Sequence, residues 1–309
     1  MILQRTIKKV ASISGIGLHS GARINMKLRP AIANTGIIFH RTDGEQVVEI
    51  KACSENVVDT QMATVIGKHG LTVSTIEHFM AAITAFGIDN LHVDIDGPEV
   101  PVLDGSAAPF IREIQQAGVK TLNRSKKFIA IKKKLELIEG EKRISIIPSR
   151  FFRISFDIAF DHPAISVQNH SMKFSTETFC KEIAEARTFG FLHEVEYLKS
   201  KGLARGGSLA NAVVIDANGV MNPEGLRFQN EFVRHKILDA VGDFSLLGSP
   251  LLGHIKAFKA GHDLNSKMVK MIEENPSHWN YVEFSEQALK EAQRSNSKSF
   301  AIDLAWHKA

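Results

Sequence analysis

Two parts of the chain share one order of predicted elements, in which short strands are mixed with helices. In the first part, short apolar and β-branched runs predict strands at residues 23–28, 36–40, 47–51, 62–66 and 91–95. Helices are predicted at 74–86 and 107–117, each followed by a glycine that ends it. Strands mixed with a helix pair predict a layer of sheet packed on helices.

The second part of the chain has similar content. Strands are predicted at 128–131, 135–139, 143–148, 153–160, 212–215 and 255–260, and helices at 180–186, 194–201, 231–244 and 264–275. The polar, basic stretch GVKTLNRSKKF (118–128) lies between the two parts and is the predicted boundary. No repeat at the level of single residues relates them.

Composition excludes several classes of protein. No stretch approaches about 20 apolar residues, so we expect no transmembrane helix, and the first residues lack the apolar core of a signal peptide. Cys53 and Cys180 are too few for a cysteine-rich zinc site and indicate a cytoplasmic protein with reduced thiols. The net charge of +4 suits an anionic ligand, but no basic tract with interleaved aromatic residues indicates nucleic acid.

The predicted helix EFVRHKILDAVGDF (231–244) carries His235, Asp239 and Asp243 at four-residue spacing. Residues at this spacing lie on one helical face, and here that face is distinct from the main apolar stripe. His235 and Asp239 could be two metal ligands, because zinc accepts both imidazole nitrogen and carboxylate oxygen. The helix alone equally fits an ion pair on a solvated face.

Two further polar clusters could join this helix. Glu77 and His78 begin a predicted helix, where Glu77 also suits the positive helix N-terminus. HExxH is absent, so no single helix carries a complete zinc-protease motif. His262 follows a glycine in a predicted turn, and Asp243 could hold it protonated. A third metal ligand from His78 and a general base from Glu77 would complete a hydrolase site.

Long motifs, in order along nearly the whole chain, carry a resemblance to a known family. They are SGIGLHSG (14–21), STIEHFMAA (74–82), DNLHVDIDGPEVPVLDGSAAPF (89–110), FDHPAI (160–165), EARTFGF (185–191), GLRFQNEFVRHKILDAVGDF (225–244) and FKAGHDLN (258–265). The chain resembles the UDP-3-O-acyl-N-acetylglucosamine deacetylases, the zinc amidohydrolases of lipid A biosynthesis. The resemblance implies an α+β fold of two similar domains, each a small β-sheet layered against a helix pair, with the active site between the domains.

The same resemblance implies the domain limits and the catalytic roles. The domains would span 1–123 and 128–309, the second with an acyl-passage insert around 188–211. The zinc ligands would be His78, His235 and Asp239, and Glu77 the general base. The remaining catalytic residues would be His262 as general acid, Asp243 beside it, Thr188 at the oxyanion and Lys236 at the substrate.

Substrate contacts are also implied by the resemblance. The acyl passage would be lined by Phe189, Leu192, Val195, Ala204, Gly207 and Ser208. The nucleotide would meet Phe160, Lys142 and Lys259, with His19 near the substrate. We expect a cytoplasmic monomer that binds UDP-3-O-acyl-N-acetylglucosamine and one zinc ion, binds no nucleic acid, has no integral membrane segment and touches a membrane peripherally at most.

Two other functions stay open at this point, and a nucleic-acid binder is a third that salt-dependent oligonucleotide binding would have to support. A zinc amidase acting on another N-acyl compound would need neither an acyl passage nor lysines for a diphosphate. A non-catalytic protein that binds a UDP-sugar or an acyl chain would be expected to have a broken site, whereas the ligand and acid–base residues are all present.

Overall fold

The structure, a computed structural model, describes residues 1–284. The strands before residue 126 are β1 (Leu3–Ile7), β2 (Ala11–Ile16), β3 (Arg23–Pro30), β4 (Ile37–Asp43), β5 (Gln46–Lys51), β6 (Val57–Asp59), β7 (Val65–Lys68), β8 (Leu71–Val73), β9 (Leu91–Ile95) and β10 (Val119–Ser125). The later strands are β11 (Phe128–Ile131), β12 (Leu135–Glu139), β13 (Lys142–Ile147), β14 (Phe152–Ala159), β15 (Val167–Lys173), β16 (Phe189–Phe191), β17 (Val213–Asp216), β18 (Gly219–Val220), β19 (Leu251–Phe258) and β20 (Trp279–Val282).

Six α-helices lie within the described residues. They are α1 (Glu77–Ala85), α2 (Ala108–Ala117), α3 (Thr176–Glu182), α4 (Leu192–Ser200), α5 (Glu231–Phe244) and α6 (His262–Glu274). Short 3-10 turns follow β5, α5 and α6.

Each half of the chain builds its own main sheet. The first has five strands in the order β2-β3-β9-β4-β5, antiparallel except for the parallel pair of β4 and β9. The second has seven strands around β19, which pairs with β13 antiparallel and with β11 and β14 parallel. The predicted α+β class is therefore confirmed.

Strands in both sheets, among them β3 and β14, alternate buried residues with more exposed ones. In β3 the buried side chains are Ile24, Met26 and Leu28, and in β14 they are Ile154, Phe156 and Ile158. This two-residue period leaves one apolar face on each sheet, which must be covered. Helices supply the cover: α2 packs on β2, and α5 packs on β14 and β15.

The two halves meet through their helices, α1 against α5. Gly242 permits the contact, because a Cβ atom at this position would lie 2.1 Å from the carbonyl oxygen of Glu77. The first turn of α1 is therefore held directly against the last turn of α5. One apolar core of buried residues runs through both halves.

Some predicted elements differ from the observed ones. The predicted boundary, 118–128, contains β10, a mostly exposed strand. It pairs with β1, which lies more than one hundred residues earlier in the sequence. The helix predicted at 180–186 instead begins at Thr176, because the Ser175 hydroxyl accepts a hydrogen bond from Thr178 N at 3.1 Å and caps it. The domain limits stay a prediction, and residues 285–309 of the predicted second domain lie outside the described residues.

Candidate active site

Three side chains that could bind a metal ion meet where α1 lies against α5. His78 comes from the first turn of α1, and His235 and Asp239 come from successive turns of α5. All three are buried, and their nearest nitrogen and oxygen atoms lie within 4.8 Å of one another. Within residues 1–284 this is the one group of three or more such side chains found. The polar stripe of α5 is thus buried, which rules out the solvated-face interpretation.

Hydrogen bonding around the group fits a cation. His235 Nδ1 lies 3.0 Å from the Ala186 carbonyl oxygen, which can only accept, so Nδ1 carries the proton. Burial lowers the pKa of His235 to about 3, so its Nε2 is unprotonated at neutral pH. Nε2 lies 3.2 Å from Asp239 Oδ1, a buried oxygen with no hydrogen-bond partner. This unprotonated nitrogen, the unpaired carboxylate oxygen and His78 are donors of the kinds that a zinc ion binds.

Asp239 also has a cationic neighbour. Its Oδ2 accepts a hydrogen bond from Lys236 Nζ at 2.8 Å, which leaves Oδ1 directed at the two histidines. Burial alone would raise the pKa of Asp239, but the charge that His235 gains at low pH and the ammonium of Lys236 outweigh it, and the pKa lies well below its ordinary value. Desolvation likewise opposes the charge of Lys236, yet Asp239 raises the pKa of this lysine. Asp239 is therefore an anion at neutral pH.

Glu77 lies next to His78 at the start of α1. Its side chain is buried, and its Oε2 accepts a hydrogen bond from Thr64 N at 3.1 Å. Burial raises the pKa of Glu77, although the charges of His262 and His78 oppose the shift. A carboxylate that is buried away from solvent and has a raised pKa is suited to accept a proton near neutral pH.

His262 forms a pair with Asp243. Its Nδ1 lies 3.0 Å from Asp243 Oδ2, and its Nε2 lies 3.9 Å from Asp239 Oδ2. Burial lowers the pKa of His262, but the charge of Asp243 and the hydrogen bond to it dominate and raise the pKa to about 10. His262 is therefore cationic at neutral pH. The predicted turn is wrong at this residue, because His262 is the first residue of α6.

Thr188 and Phe189 follow Ala186 and Arg187, which contact His235 and Glu231 of α5. Thr188 is fixed through its backbone, which bonds to Gly105 and Val213 at 2.8 Å each. The Phe189 ring lies 6.3 Å from the His235 ring, and Lys236 Nζ lies 5.7 Å from the Phe189 ring centroid. Phe160 meets Phe189 edge to face at 5.9 Å. The structure thus brings Phe189 and Lys236 next to the histidine–aspartate group, and places Phe160 against Phe189.

The residues predicted for an acyl passage lie in two places. Leu192 and Val195 are half-buried on α4, which packs on β16. Ala204 is buried and has a φ of 51°, while Gly207 lies in the same turn and Ser208 is exposed. This turn meets the loop of His19, whose backbone carbonyl accepts a hydrogen bond from Arg205 N at 3.3 Å.

Lys142 and Lys259 are the least connected to the site. Both lie at one end of the seven-stranded sheet, beyond the paired residues Arg143 and Phe258. Lys142 is exposed, and Lys259 Nζ pairs with Glu141 Oε2 at 2.6 Å. A diphosphate bound by Lys259 would have to displace Glu141.

A cavity of about 380 Å³ lies elsewhere along the same two helices. Its lining includes Met80 and Ile83 of α1 and Val241 and Phe244 of α5. None of its described lining residues is a predicted site residue. This cavity is separate from the chemistry described above.

Comparison with known proteins identifies the family. The family model described as LpxC, UDP-3-O-acyl N-acetylglycosamine deacetylase, matches residues 4–274. The chain belongs to this deacetylase family.

Relatives with the name UDP-3-O-acyl-N-acetylglucosamine deacetylase cover nearly the full chain. The relative from Syntrophotalea carbinolica is 65% identical over 288 residues, covering 93% of each protein. The relative from Citrifermentans bemidjiense is 57% identical over 94% of this chain and 95% of its own. The relative from Myxococcus xanthus is 53% identical over 90% of this chain and 89% of its own.

The sequence did not predict several polar groups around this candidate site. Asp243 accepts hydrogen bonds from Thr64 Oγ1 at 2.5 Å and Asn265 Nδ2 at 2.8 Å. Glu99 is buried and accepts hydrogen bonds from the backbone of His19 and Ser20. Asn265 and Glu99 lie inside the quoted motifs, but no spacing links them to their partners.

No helix among residues 1–284 is long and apolar enough to cross a membrane.

Proposed function

We propose that the chain hydrolyses the N-acetyl group of UDP-3-O-(3-hydroxyacyl)-N-acetylglucosamine in lipid A biosynthesis. The products are UDP-3-O-acyl-glucosamine and acetate. Membership of the deacetylase family supports the reaction and the substrate. The observation that carries the chemistry is the buried group of His78, His235 and Asp239, beside a proton acceptor and a proton donor.

His78, His235 and Asp239 would hold a zinc ion. When bound there, zinc supplies Lewis-acid polarisation of the amide carbonyl. The rest of the site prepares these ligands: Ala186 fixes the tautomer of His235, and Lys236 holds one oxygen of Asp239.

Glu77 and His262 divide the proton transfers. Glu77 takes a proton from the attacking water as the water oxygen bonds to the amide carbon. His262 gives its proton to the departing nitrogen as the C–N bond breaks, because an amine anion is a very poor leaving group. Asp243 keeps His262 charged for this step, through the 3.0 Å hydrogen bond.

Thr188 and Lys236 would contact the reacting group. The Thr188 hydroxyl donates a hydrogen bond to the oxyanion that forms when water attacks. Lys236, whose ammonium also holds Asp239, binds the substrate beside Phe189. Thr188 lies on the segment whose Ala186 carbonyl contacts His235, and Lys236 lies beside His235 on α5. The contact between that segment and α5 therefore fixes both residues relative to the proposed ligands.

The remaining predicted residues would recognise the two ends of the substrate. The acyl chain would lie against Phe189, Leu192, Val195, Ala204, Gly207 and Ser208, and His19 would lie near the sugar. Phe160 would stack on uracil, and Lys142 and Lys259 would bind the diphosphate. We further propose a cytoplasmic monomer with domains at 1–123 and 128–309 and peripheral membrane contact at most, in keeping with the two free cysteines.

A substrate comparison tests the proposal against a less selective zinc amidase. Acetate release is measured from UDP-3-O-acyl-N-acetylglucosamine and from UDP-N-acetylglucosamine, which lacks the acyl chain. We expect kcat/KM to be at least about 100-fold higher for the acylated compound, because burying about four methylenes of an acyl chain, at about 0.8 kcal/mol each, is enough for this ratio. Equal values would support the amidase. Release from neither compound by folded, zinc-loaded protein would support the non-catalytic binder.

A pair of variants on α4 tests the passage itself. Val195 is half-buried, whereas Tyr197 on the same helix is 62% exposed. Val195→Asp should raise KM for the acylated substrate and leave the unacylated compound unaffected. Tyr197→Asp is the matched control and should change neither. If both variants behave alike, α4 does not line the passage.

A further inference from the structure

A buried ion pair lies one helical turn before His235. Arg187 is 2% exposed and Glu231 is 0% exposed. Their side chains form two parallel hydrogen bonds, Nε to Oε1 at 2.9 Å and Nη2 to Oε2 at 3.2 Å. The backbone nitrogen of Arg187 also donates to Oε1, at 2.9 Å. Nothing in the proposed reaction uses either residue.

The pair is bonded to the chain on every side. Arg187 Nη1 donates to Glu224 Oε1 at 2.6 Å, and Nη2 donates to the Gly225 carbonyl at 2.7 Å. Glu231 Oε2 accepts a further bond from the backbone nitrogen of Arg227 at 2.6 Å. The planar guanidinium thus joins Glu231 to residues 224–225, which an ammonium group with its compact charge could not do in the same geometry.

The position of the pair links it to the site. Glu231 is the first residue of α5, and His235 follows on the same face one turn later. Arg187 stands between Ala186, whose carbonyl accepts from His235 Nδ1 at 3.0 Å, and Thr188. The segment 186–188 therefore contacts α5 twice in register, Arg187 at Glu231 and Ala186 at His235. A shift of one contact moves the other.

Stability alone is a weak reason for such a pair. Removing two charges from water costs more than packing two apolar side chains of similar volume, so a buried ion pair commonly adds little net stability. What it does supply is fixed geometry, since a bidentate pair tolerates neither sliding nor rotation.

We propose that Arg187 and Glu231 are positioning residues that set the Ala186 carbonyl on His235 and Thr188 beside α5. The inference rests on the proposed function for its catalytic consequence. Its effect on the metal ligand is independent of the substrate, because it acts through the orientation of His235.

The test separates positioning from stability with a double variant. Arg187→Met alone leaves Glu231 buried without its partner and is expected to destabilise the fold. Arg187→Met combined with Glu231→Leu removes both charges, although the backbone nitrogens of residues 187 and 227 lose their acceptor. Measured without metal, it should unfold at a higher urea concentration than Arg187→Met alone. Arg29→Met is the control, because it breaks a partly exposed bidentate pair with Asp94 on the five-stranded sheet, away from the metal-ligand group.

In the double variant we expect zinc affinity, measured by competition with a chelator, to fall about 10- to 100-fold. We expect kcat per bound zinc to fall about 100-fold, with KM changed little. Arg29→Met should retain both values. Unaltered zinc affinity and kcat in the folded double variant would overturn the proposal and leave a purely structural pair.

Arg187→Lys provides the same test if the double variant does not fold. It keeps the charge and loses the bidentate geometry, so zinc affinity and kcat should both fall, and unaltered values would overturn the proposal. If the unaltered protein releases no acetate from the UDP-sugar, the proposed function fails. The zinc affinities then still decide whether the pair positions His235.

Discussion

Gly242→Ala should disturb the metal site through a single methyl group. The new Cβ atom would lie 2.1 Å from the carbonyl oxygen of Glu77 and 2.8 Å from its carbonyl carbon, whereas ordinary van der Waals contact begins at 3.4 Å. The obstructing atoms are backbone, so they cannot rotate away. The helices α1 and α5 must therefore separate by roughly an ångström.

The consequence for stability is small compared with the consequence for the site. Alanine gains about 1 kcal/mol over glycine in a helix, while overpacking costs about 1–3 kcal/mol, so the free energy of unfolding should fall by about 0–2 kcal/mol. His78 moves with α1, and His235 and Asp239 move with α5. Metal–ligand distances tolerate only about 0.2 Å, so zinc affinity should fall at least about 10-fold, and misplaced catalytic groups should lower kcat about 100-fold.

The assay measures urea unfolding of metal-free protein, zinc affinity by chelator competition and acetate release. Gly261→Ala is the control, because it adds the same methyl group beside His262 where nothing lies within 4 Å. It should retain zinc affinity and kcat. Unaltered zinc affinity and kcat in Gly242→Ala would refute the argument that the separation of α1 and α5 sets the site.

Three further predictions concern single side chains. In Asp243→Asn, the anion beside His262 is lost, so the pKa of His262 should fall from about 10. The alkaline limb of the pH profile of kcat/KM should therefore move to lower pH. A limb that does not move would contradict the role of His262 as general acid. His235→Ala should abolish tight zinc binding, measured by metal analysis, while His254→Ala should retain it. Lys126→Met breaks the 3.0 Å ion pair with Asp89 and should lower the free energy of unfolding by about 3 kcal/mol in urea, whereas the exposed neighbour Lys127→Met should not.

Local periodicity predicted the central elements of the fold. Residues 231–244 were predicted as a helix, and α5 has these bounds, because its apolar residues follow the helical period. β10 was missed because its exposed, polar sequence forms a strand only by pairing with β1, more than one hundred residues away. Pairing over that distance leaves no local signal.

In the candidate site, too, spacing along one helix was predictable from the sequence, whereas contacts between distant segments were not. The spacing of His235 and Asp239 showed that they share a helical face, but the approach of His78 depends on the contact of α1 with α5, which no spacing reveals. Ala186 contacts the site through its backbone carbonyl, which every residue has, and Thr64 through a hydroxyl whose sequence position shows no link to Asp243. The resemblance named the roles of the site residues, and these roles stay predictions.

Acetate release in the presence and absence of a chelator tests the central claim most directly. Purified protein is assayed with UDP-3-O-acyl-N-acetylglucosamine, then with chelator, then after zinc is restored. Release that the chelator abolishes and zinc restores is the predicted result. Release that continues in protein shown to be free of metal would contradict a zinc site formed by His78, His235 and Asp239.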